Sequence, residues 1–204
     1  MKTLFISTKL KSRIEESKIK EISKELPKNI ALTYSIQYQE QAKKIKQILS
    51  KNHRVLKFIQ VLGCTKLKLP ENTQAILLIS DGKFHATSLA LESELPVYLF
   101  NLNKLEKISN QDIENLKKKQ KASFVKYLNS ETIGIIISTK PGQSNFKKAT
   151  ELKKKEKKQA YLFISNNIDT REFENFGLDF WVNTACPRMD MASNSIINID
   201  KLNM

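Results

Sequence analysis

The sequence predicts an α/β protein made of two small parallel-sheet βαβ domains packed together. Short apolar runs alternate with longer polar segments whose apolar residues recur at helical spacing. The runs are apolar on both faces, which is typical of parallel strands covered by helices on both sides. This alternation occurs twice, on either side of a polar seam near residues 101–110. We therefore expect one domain over residues 1–104 and a second over residues 105–204.

The individual elements follow from the same patterns. Strands are predicted, in chain order, over 3–7, 30–34, 75–79, 97–100, 132–137, 160–164 and 180–182, with Ile199 in a last short strand. Apolar stripes predict helices at Ile14, Ile19, Ile22 and Leu26, at Ala42, Ile45, Ile48 and Leu49, and at Ile113, Leu116, Phe124, Tyr127 and Leu128. The lysine-rich stretch 147–158 keeps only Ala149 and Leu152 apolar, so we expect a surface helix there.

The chain is strongly basic, with 35 basic and 21 acidic residues and a net charge of +14. Four of the basic residues are arginine, which leaves 31 lysines. One interpretation is a lysine-, isoleucine- and asparagine-rich coding bias spread over solvated helix faces. The other is a positive field that attracts an acidic partner, such as an RNA-bearing assembly. Because phosphate recognition favours the planar fork of arginine, we expect no direct binding of nucleic acid.

The apolar runs and the cysteine content indicate in which cellular compartment the protein is expected. No apolar run approaches the ~20 residues needed to cross a bilayer, and the first residues do not have the pattern of a signal peptide. Two cysteines, Cys64 and Cys186, are too few for a disulfide scaffold, which favours a reducing environment. We therefore expect a soluble, cytoplasmic protein without membrane contact.

Three loops with unusual composition follow predicted strands. They occupy residues 80–85, 138–143 and 183–188 and combine glycine, proline or cysteine with polar side chains. In parallel sheets, ligands bind at the loops that leave the carboxyl ends of strands. These loops therefore predict a binding site.

Cys186 lies in the third of these loops, and Cys64 lies in a further loop that is predicted at a strand end. Cys64 directly follows Gly63, and a thiolate there could bind zinc or an iron–sulfur centre. Cys186 precedes Pro187, which constrains the turn, and the guanidinium of Arg188 could neutralise a thiolate or bind a carboxylate. For each cysteine a buried structural thiol remains the alternative. The absence of a CxxC pair excludes a zinc ribbon and a thioredoxin-like site.

The two histidines differ in their surroundings. His53 lies in a polar, charged segment and is predicted to be a surface residue, whereas His85 ends the loop 80–85 and is the better candidate for a site. The alternative for His85 is a helix-start histidine with a satisfied hydrogen bond. The chain has neither a GxGxxG nor a P-loop glycine pattern, so ordinary dinucleotide and nucleoside triphosphate sites are not supported.

Five motifs in fixed order resemble one family. They are Ser35-Ile36-Gln37, Gln60-Val61-Leu62-Gly63-Cys64, residues 80–85, residues 138–143 and Thr184-Ala185-Cys186-Pro187-Arg188. The set closely resembles the diphthamide synthesis enzymes, the 2-(3-amino-3-carboxypropyl)histidine synthases. The resemblance implies three stacked α/β domains that each contribute one cysteine to a [4Fe-4S] cluster. It also implies cleavage of S-adenosylmethionine to a 3-amino-3-carboxypropyl radical, which is added to a histidine of translation elongation factor 2.

The resemblance carries residue roles onto this chain, which is similar to the second and third family domains only, with the first domain missing. It makes Cys64 and Cys186 ligands of the cluster. The residues that match the cofactor cleft, where S-adenosylmethionine would bind, are Gln37, Gly82, His85, Gln143 and Arg188. Of these, Arg188 and His85 are the catalytic candidates.

The resemblance also implies a partner, because a cluster held by three cysteines needs one more thiolate than this chain supplies. The sources considered are a separate polypeptide that provides the missing first domain and third cysteine, a homodimer that pools cysteines, and a non-cysteine ligand such as His85. The leading hypothesis is therefore one half of a split transferase. The competing hypothesis is a non-catalytic, degenerate paralogue or accessory subunit that binds the synthase or the elongation factor.

Overall fold

The computed structural model describes residues 4, 6, 8–62, 67–191 and 194–202, with backbone only at 190 and 191. The chain divides into two compact units, residues 1–113 and 114–204. Each unit contains its own mainly parallel sheet, which confirms the α/β class. The division falls nine residues beyond the expected limit at 104, because residues 105–107 pair with the first sheet.

The first unit has helices on both faces of a five-stranded sheet. Its elements are α1 (Glu16–Ser23), β1 (Asn29–Tyr34), a 3-10 turn (Ile36–Tyr38), α2 (Gln39–Leu49), β2 (Arg54–Gln60), β3 (Ala75–Ile79), α3 (Lys83–Ser93), β4 (Val97–Phe100) and β5 (Leu105–Lys107). The strand order is β2-β1-β3-β4-β5. The first four strands are parallel, and β5 runs antiparallel to β4.

The second unit is built on a four-stranded, all-parallel sheet. Helix α4 (Asn110–Asn129) leads into it, followed by β6 (Thr132–Ser138), α5 (Phe146–Lys155), β7 (Gln159–Ser165), a 3-10 segment (Thr170–Phe176), β8 (Phe180–Asn183), a 3-10 turn (Pro187–Met191), β9 (Ile196–Asn198) and a last 3-10 turn (Ile199–Lys201). The strand order is β7-β6-β8-β9.

Burial on both faces explains why the central strands are continuous apolar runs. Every residue of β3 is buried. Its alternate side chains face α1 and α2 on one side of the sheet and α3 on the other. In the second unit, α4 and α5 cover one face of β6, while an aromatic group with Trp181 at its centre covers the other.

Gly134 in β6 makes room for that aromatic group. A Cβ atom at this position would lie 2.4 Å from ring atoms of Trp181. The rings of Phe163 and Phe173 lie 4.6 and 4.1 Å from the Trp181 ring, centroid to centroid. The glycine inside this strand is therefore a packing requirement, since any side chain would displace the indole.

The structure corrects several expected elements. Strands β2 and β5 were not predicted, Ile199 lies in a 3-10 turn instead of a strand, and α3 begins inside the expected loop 80–85. The expected strand over 3–7 lies largely outside the described residues. In the described part of the chain, no helix is long and apolar enough to cross a membrane.

His53 is half-buried instead of exposed. Its Nδ1 lies 2.9 Å from the carbonyl oxygen of Pro27, and its Nε2 lies 2.7 Å from Oγ of Ser23. Both ring nitrogens therefore hold the end of α1 against the turn before β2, which is a structural role.

Candidate functional site

Both sheets have the same kind of topological switch point. In the first unit the chain leaves β1 for β2 on one side and then crosses back to β3 on the other side of β1. In the second unit β6, β7 and β8 repeat this path. The connections diverge between β1 and β3 and between β6 and β8, and such points open a crevice at the carboxyl edge. The three expected loops all leave strands that flank one of these points.

In the first unit, hydrogen bonds join the loops at the switch point. Oγ of Ser35, after β1, donates to Oγ of Ser80, after β3, over 3.1 Å, and both residues are buried. The hydroxyl of Tyr38 donates to Oδ2 of Asp81 over 2.5 Å. Burial, together with the bond to the Asp81 carboxylate and its charge, raises the pKa of Tyr38 to about 12. The two loops therefore form one connected edge.

The structure brings three of the first-unit candidates to this edge. Gln37 is exposed in the 3-10 turn after β1, and its carbonyl accepts a hydrogen bond from the amide of Leu10 at 2.8 Å. Gly82 connects β3 to α3 with φ 77° and ψ 150°, a backbone conformation open essentially to glycine alone. His85 follows in the first turn of α3, where its ring contacts Phe84 edge-on at 5.0 Å.

His85 therefore lies at a helix start and not in a loop, as the first half of its alternative interpretation expected. It is half-buried. Cys64 lies outside the described residues. Strand β2, which precedes it, ends at Gln60, whose register partner is Tyr34 at the end of β1. The carboxyl end of β2 thus belongs to the same edge as Gln37.

In the second unit, two buried asparagines hold the loop that carries Cys186. Nδ2 of Asn183 donates to the Cys186 carbonyl over 2.8 Å and to Oδ1 of Asn198 over 2.5 Å. Oδ1 of Asn183 accepts from the Ala185 amide at 2.9 Å, and Nδ2 of Asn198 donates to the Pro187 carbonyl at 2.8 Å. This network fixes the backbone on both sides of the half-buried Cys186.

The Gln143 loop is tied to the Cys186 loop. Nδ2 of Asn145 donates to the carbonyl of Thr184 over 2.6 Å, while the Thr184 hydroxyl donates to the Ile136 carbonyl over 2.7 Å. Gln143 is half-buried, two residues before Asn145. The structure therefore gathers Gln143 and Cys186 at the second switch point, with Arg188 exposed in the following 3-10 turn.

Sequence reasoning missed the residues that hold these loops in place, namely Tyr38, Asn145, Asn183 and Asn198. One signal could have found two of them. Strands β8 and β9 are apolar runs that each end in asparagine, and Asn183 and Asn198 are register partners. Paired amides at the carboxyl ends of adjacent buried strands indicate a hydrogen-bonded loop support.

The donor set of the described residues is incomplete for a metal centre. Across 8–62, 67–189 and 194–202, no group of three or more histidine, cysteine or acidic side chains is placed to hold a metal ion. Cys186 is a free, half-buried thiol on a fixed loop. A thiolate on such a loop is the kind of ligand that soft metal centres accept.

Comparisons with known proteins point to one family. The family model described as "Putative diphthamide synthesis protein" matches residues 1–195. The 2-(3-amino-3-carboxypropyl)histidine synthase of Pyrococcus horikoshii is 28% identical over 181 residues, which cover 82% of this chain and 53% of that protein. The synthase of Methanocaldococcus jannaschii is 28% identical over 203 residues, 93% of this chain and 56% of that protein.

Solved structures show the same likeness. The crystal structure of Dph2 from Pyrococcus horikoshii matches with a TM-score of 0.80 and 26% identity, covering 94% of this chain and 62% of that one. The structure of the same protein with a 4Fe-4S cluster matches with a TM-score of 0.77 and 26% identity, covering 92% and 59%. The chain spans about half the length of the curated relatives that it matches. From the family model and these likenesses, the chain belongs to the diphthamide synthesis protein family.

Proposed function

We propose that this chain is part of a 2-(3-amino-3-carboxypropyl)histidine synthase, the cytoplasmic enzyme of the first step of diphthamide biosynthesis. The reaction moves a 3-amino-3-carboxypropyl group from S-adenosylmethionine to a histidine of translation elongation factor 2. The observation that carries the proposal is the fold match, at a TM-score of 0.77, to a Dph2 whose structure contains a 4Fe-4S cluster. In this proposal residues 1–113 correspond to the second family domain and residues 114–204 to the third.

Cys64 and Cys186 are the proposed ligands of the [4Fe-4S] cluster. Cys186 supports this assignment because its loop is held by buried amides, which leave the thiol half-exposed at a carboxyl edge. A ligand held by packing and second-layer hydrogen bonds keeps its geometry when the metal centre binds. The bound cluster would supply the electron for reductive cleavage of S-adenosylmethionine.

The third thiolate is proposed to come from outside these 204 residues, which contain only two cysteines. A separate polypeptide with the remaining family domain is the favoured source, and a second copy of the chain is the other. A partner with one cysteine would give three thiolates and leave one iron open to substrate, whereas two copies of this chain would offer four thiolates.

The remaining residues are proposed to bind and orient S-adenosylmethionine. Arg188 is exposed two residues beyond Cys186, so its guanidinium can bind the methionine carboxylate near the cluster. His85 and Gln143 are proposed to contact the nucleotide, and each lies at the carboxyl edge of its own sheet. Gln37 and Gly82 lie at the first of these edges, where Gly82 lets the backbone approach a ligand closely.

The test is anaerobic co-purification with a candidate partner that carries one loop cysteine. After reconstitution, the complex should hold about four irons and four sulfides. It should transfer label from carboxyl-labelled S-adenosylmethionine to elongation factor 2. A stable complex without cluster or transfer would indicate an accessory subunit instead. A full cluster on the lone monomer would refute the need for a partner.

A further inference from the structure

The positive charge of the chain is concentrated in one segment. Residues 117–158 contain thirteen lysines and three acidic residues, a net charge of +10. Residues 159–204 contain three basic and six acidic residues, a net charge of −3. A uniform coding bias would spread lysine evenly along the chain, so it does not account for this contrast.

The fold places ten of these thirteen lysines on two helices of the second unit. Helices α4 and α5 cover the same face of its sheet, where Tyr127 and Ala149 share one buried cluster. We call the outer side of this layer the lysine surface. Its exposed lysines are Lys117, Lys118, Lys121, Lys126, Lys147, Lys148, Lys153, Lys154 and Lys155.

Few carboxylates neutralise this surface. Lys148 pairs with Asp200 at 3.4 Å, and both side chains are more than half exposed. For the other lysines of the surface, the described part of the chain places no carboxylate oxygen within 4.0 Å. The carboxylate of Glu156, which lies nearby in sequence, accepts a hydrogen bond from the hydroxyl of Tyr127 and, within the described residues, makes no ion pair with these lysines. The surface therefore keeps a strong unbalanced positive field.

Apolar side chains are interspersed with the lysines. On α4, Lys118, Lys121, Val125 and Leu128 recur at helical spacing and form one exposed stripe. Val125 is 53% and Leu128 55% exposed, and Phe146 at the start of α5 is 52% exposed. Exposed apolar residues of this kind contribute little to phosphate contacts, but they suit a protein interface.

We propose that the lysine surface docks an acidic protein segment that also carries apolar side chains. Charge complementarity would steer the segment onto α4 and α5, and the apolar stripe on α4 would anchor it. The absence of arginine from residues 117–158 argues against nucleic acid, whose phosphates arginine grips in a bidentate manner. This inference goes beyond the proposed transferase activity and does not depend on it.

The experiment compares two full-length variants that lose the same charge. One changes Lys118, Lys121 and Lys154 to glutamine. The matched control changes Lys20, Lys44 and Lys51, which are exposed in the first unit, to glutamine. The probe is a random copolymer of glutamate and tyrosine at about 150 mM salt, where screening acts beyond about 8 Å. We expect at least a tenfold loss of affinity in the first variant and less than a twofold loss in the control.

Three results would overturn the proposal. Equal losses in both variants would mean that overall charge alone attracts the probe. Tighter binding of poly(U) RNA than of the copolymer, with the same dependence on Lys118, Lys121 and Lys154, would assign the surface to nucleic acid. In the third measurement the copolymer is compared with poly-L-glutamate for the Leu128→Ser variant. If Leu128→Ser prefers the copolymer over poly-L-glutamate as strongly as the unmodified chain does, the apolar stripe on α4 does not anchor the bound segment. Circular dichroism melting checks that every variant is folded.

Discussion

Asn183 is expected to support the Cys186 loop more than any other side chain of the second unit. It is 2% exposed and takes part in three hydrogen bonds, to the Cys186 carbonyl, to Oδ1 of Asn198 and from the Ala185 amide. A net value of about 1 kcal/mol for each bond predicts that Asn183→Ala lowers the free energy of unfolding of the second unit by about 3 kcal/mol.

The assay is urea unfolding followed by tryptophan fluorescence. Trp181 is the single tryptophan of the chain and lies on β8, two residues before Asn183, so the signal reports on the second unit. The matched control is Asn167→Ala, at an exposed loop position after β7, where a change within about 0.5 kcal/mol is expected. Equal unfolding midpoints for the two variants would refute the reasoning.

The same change should loosen the backbone around Cys186. In a Cys64→Ser background, iodoacetamide reacts with Cys186 as the single thiol. Each 1.4 kcal/mol of lost loop stability raises the open population about tenfold, so alkylation should be at least about tenfold faster in Asn183→Ala. An unchanged rate would mean that the amide network stabilises the sheet without controlling the loop.

Three further predictions concern single positions. Gly82→Ala should cost about 1–3 kcal/mol of unfolding free energy in thermal melts, from backbone strain alone, because a Cβ there meets no atom within 4 Å; an unchanged melting temperature would contradict this. The pKa of Tyr38 is raised to about 12. Its protonated hydroxyl therefore contributes to the free energy of unfolding in full below about pH 10, and this contribution is lost as the pH rises from about 10 to 12. Tyr38→Phe should remove that loss from a pH titration of stability, and an identical alkaline slope would show that Tyr38 is not its source. Cys186→Ser should leave the melting temperature nearly unchanged while the reconstituted complex loses its iron, whereas a loss of folded protein would indicate a packing thiol.

Burial explains which strands could be predicted. The strands at 75–79 and 97–100 have the predicted bounds, because strands buried on both faces are continuous apolar runs. β2 was missed because it is an edge strand whose residues are only partly buried, with Lys57 in its middle. Its strand conformation depends on pairing with β1, which the local sequence does not encode.

The candidate site also has features that the sequence could predict and features that it could not. Local composition pointed to the loops at 80–85, 138–143 and 183–188, because glycine, proline and cysteine after an apolar run are visible in sequence. Their supports were not visible, because each support is a contact between residues distant in the chain. Tyr38 reaches Asp81 across 43 positions, and Asn145 reaches Thr184 across 39.

The sequence by itself therefore determined the α/β class, the positions of the buried strands other than β9, and the loops that follow them. All three depend on local hydrophobic patterns and turn residues. Only the tertiary structure decided that β3 lies beside β1 and β8 beside β6, and so which loops become neighbours. Strand order is set by long-range pairing, and a parallel crossover leaves no mark in the local sequence of the strands that it joins.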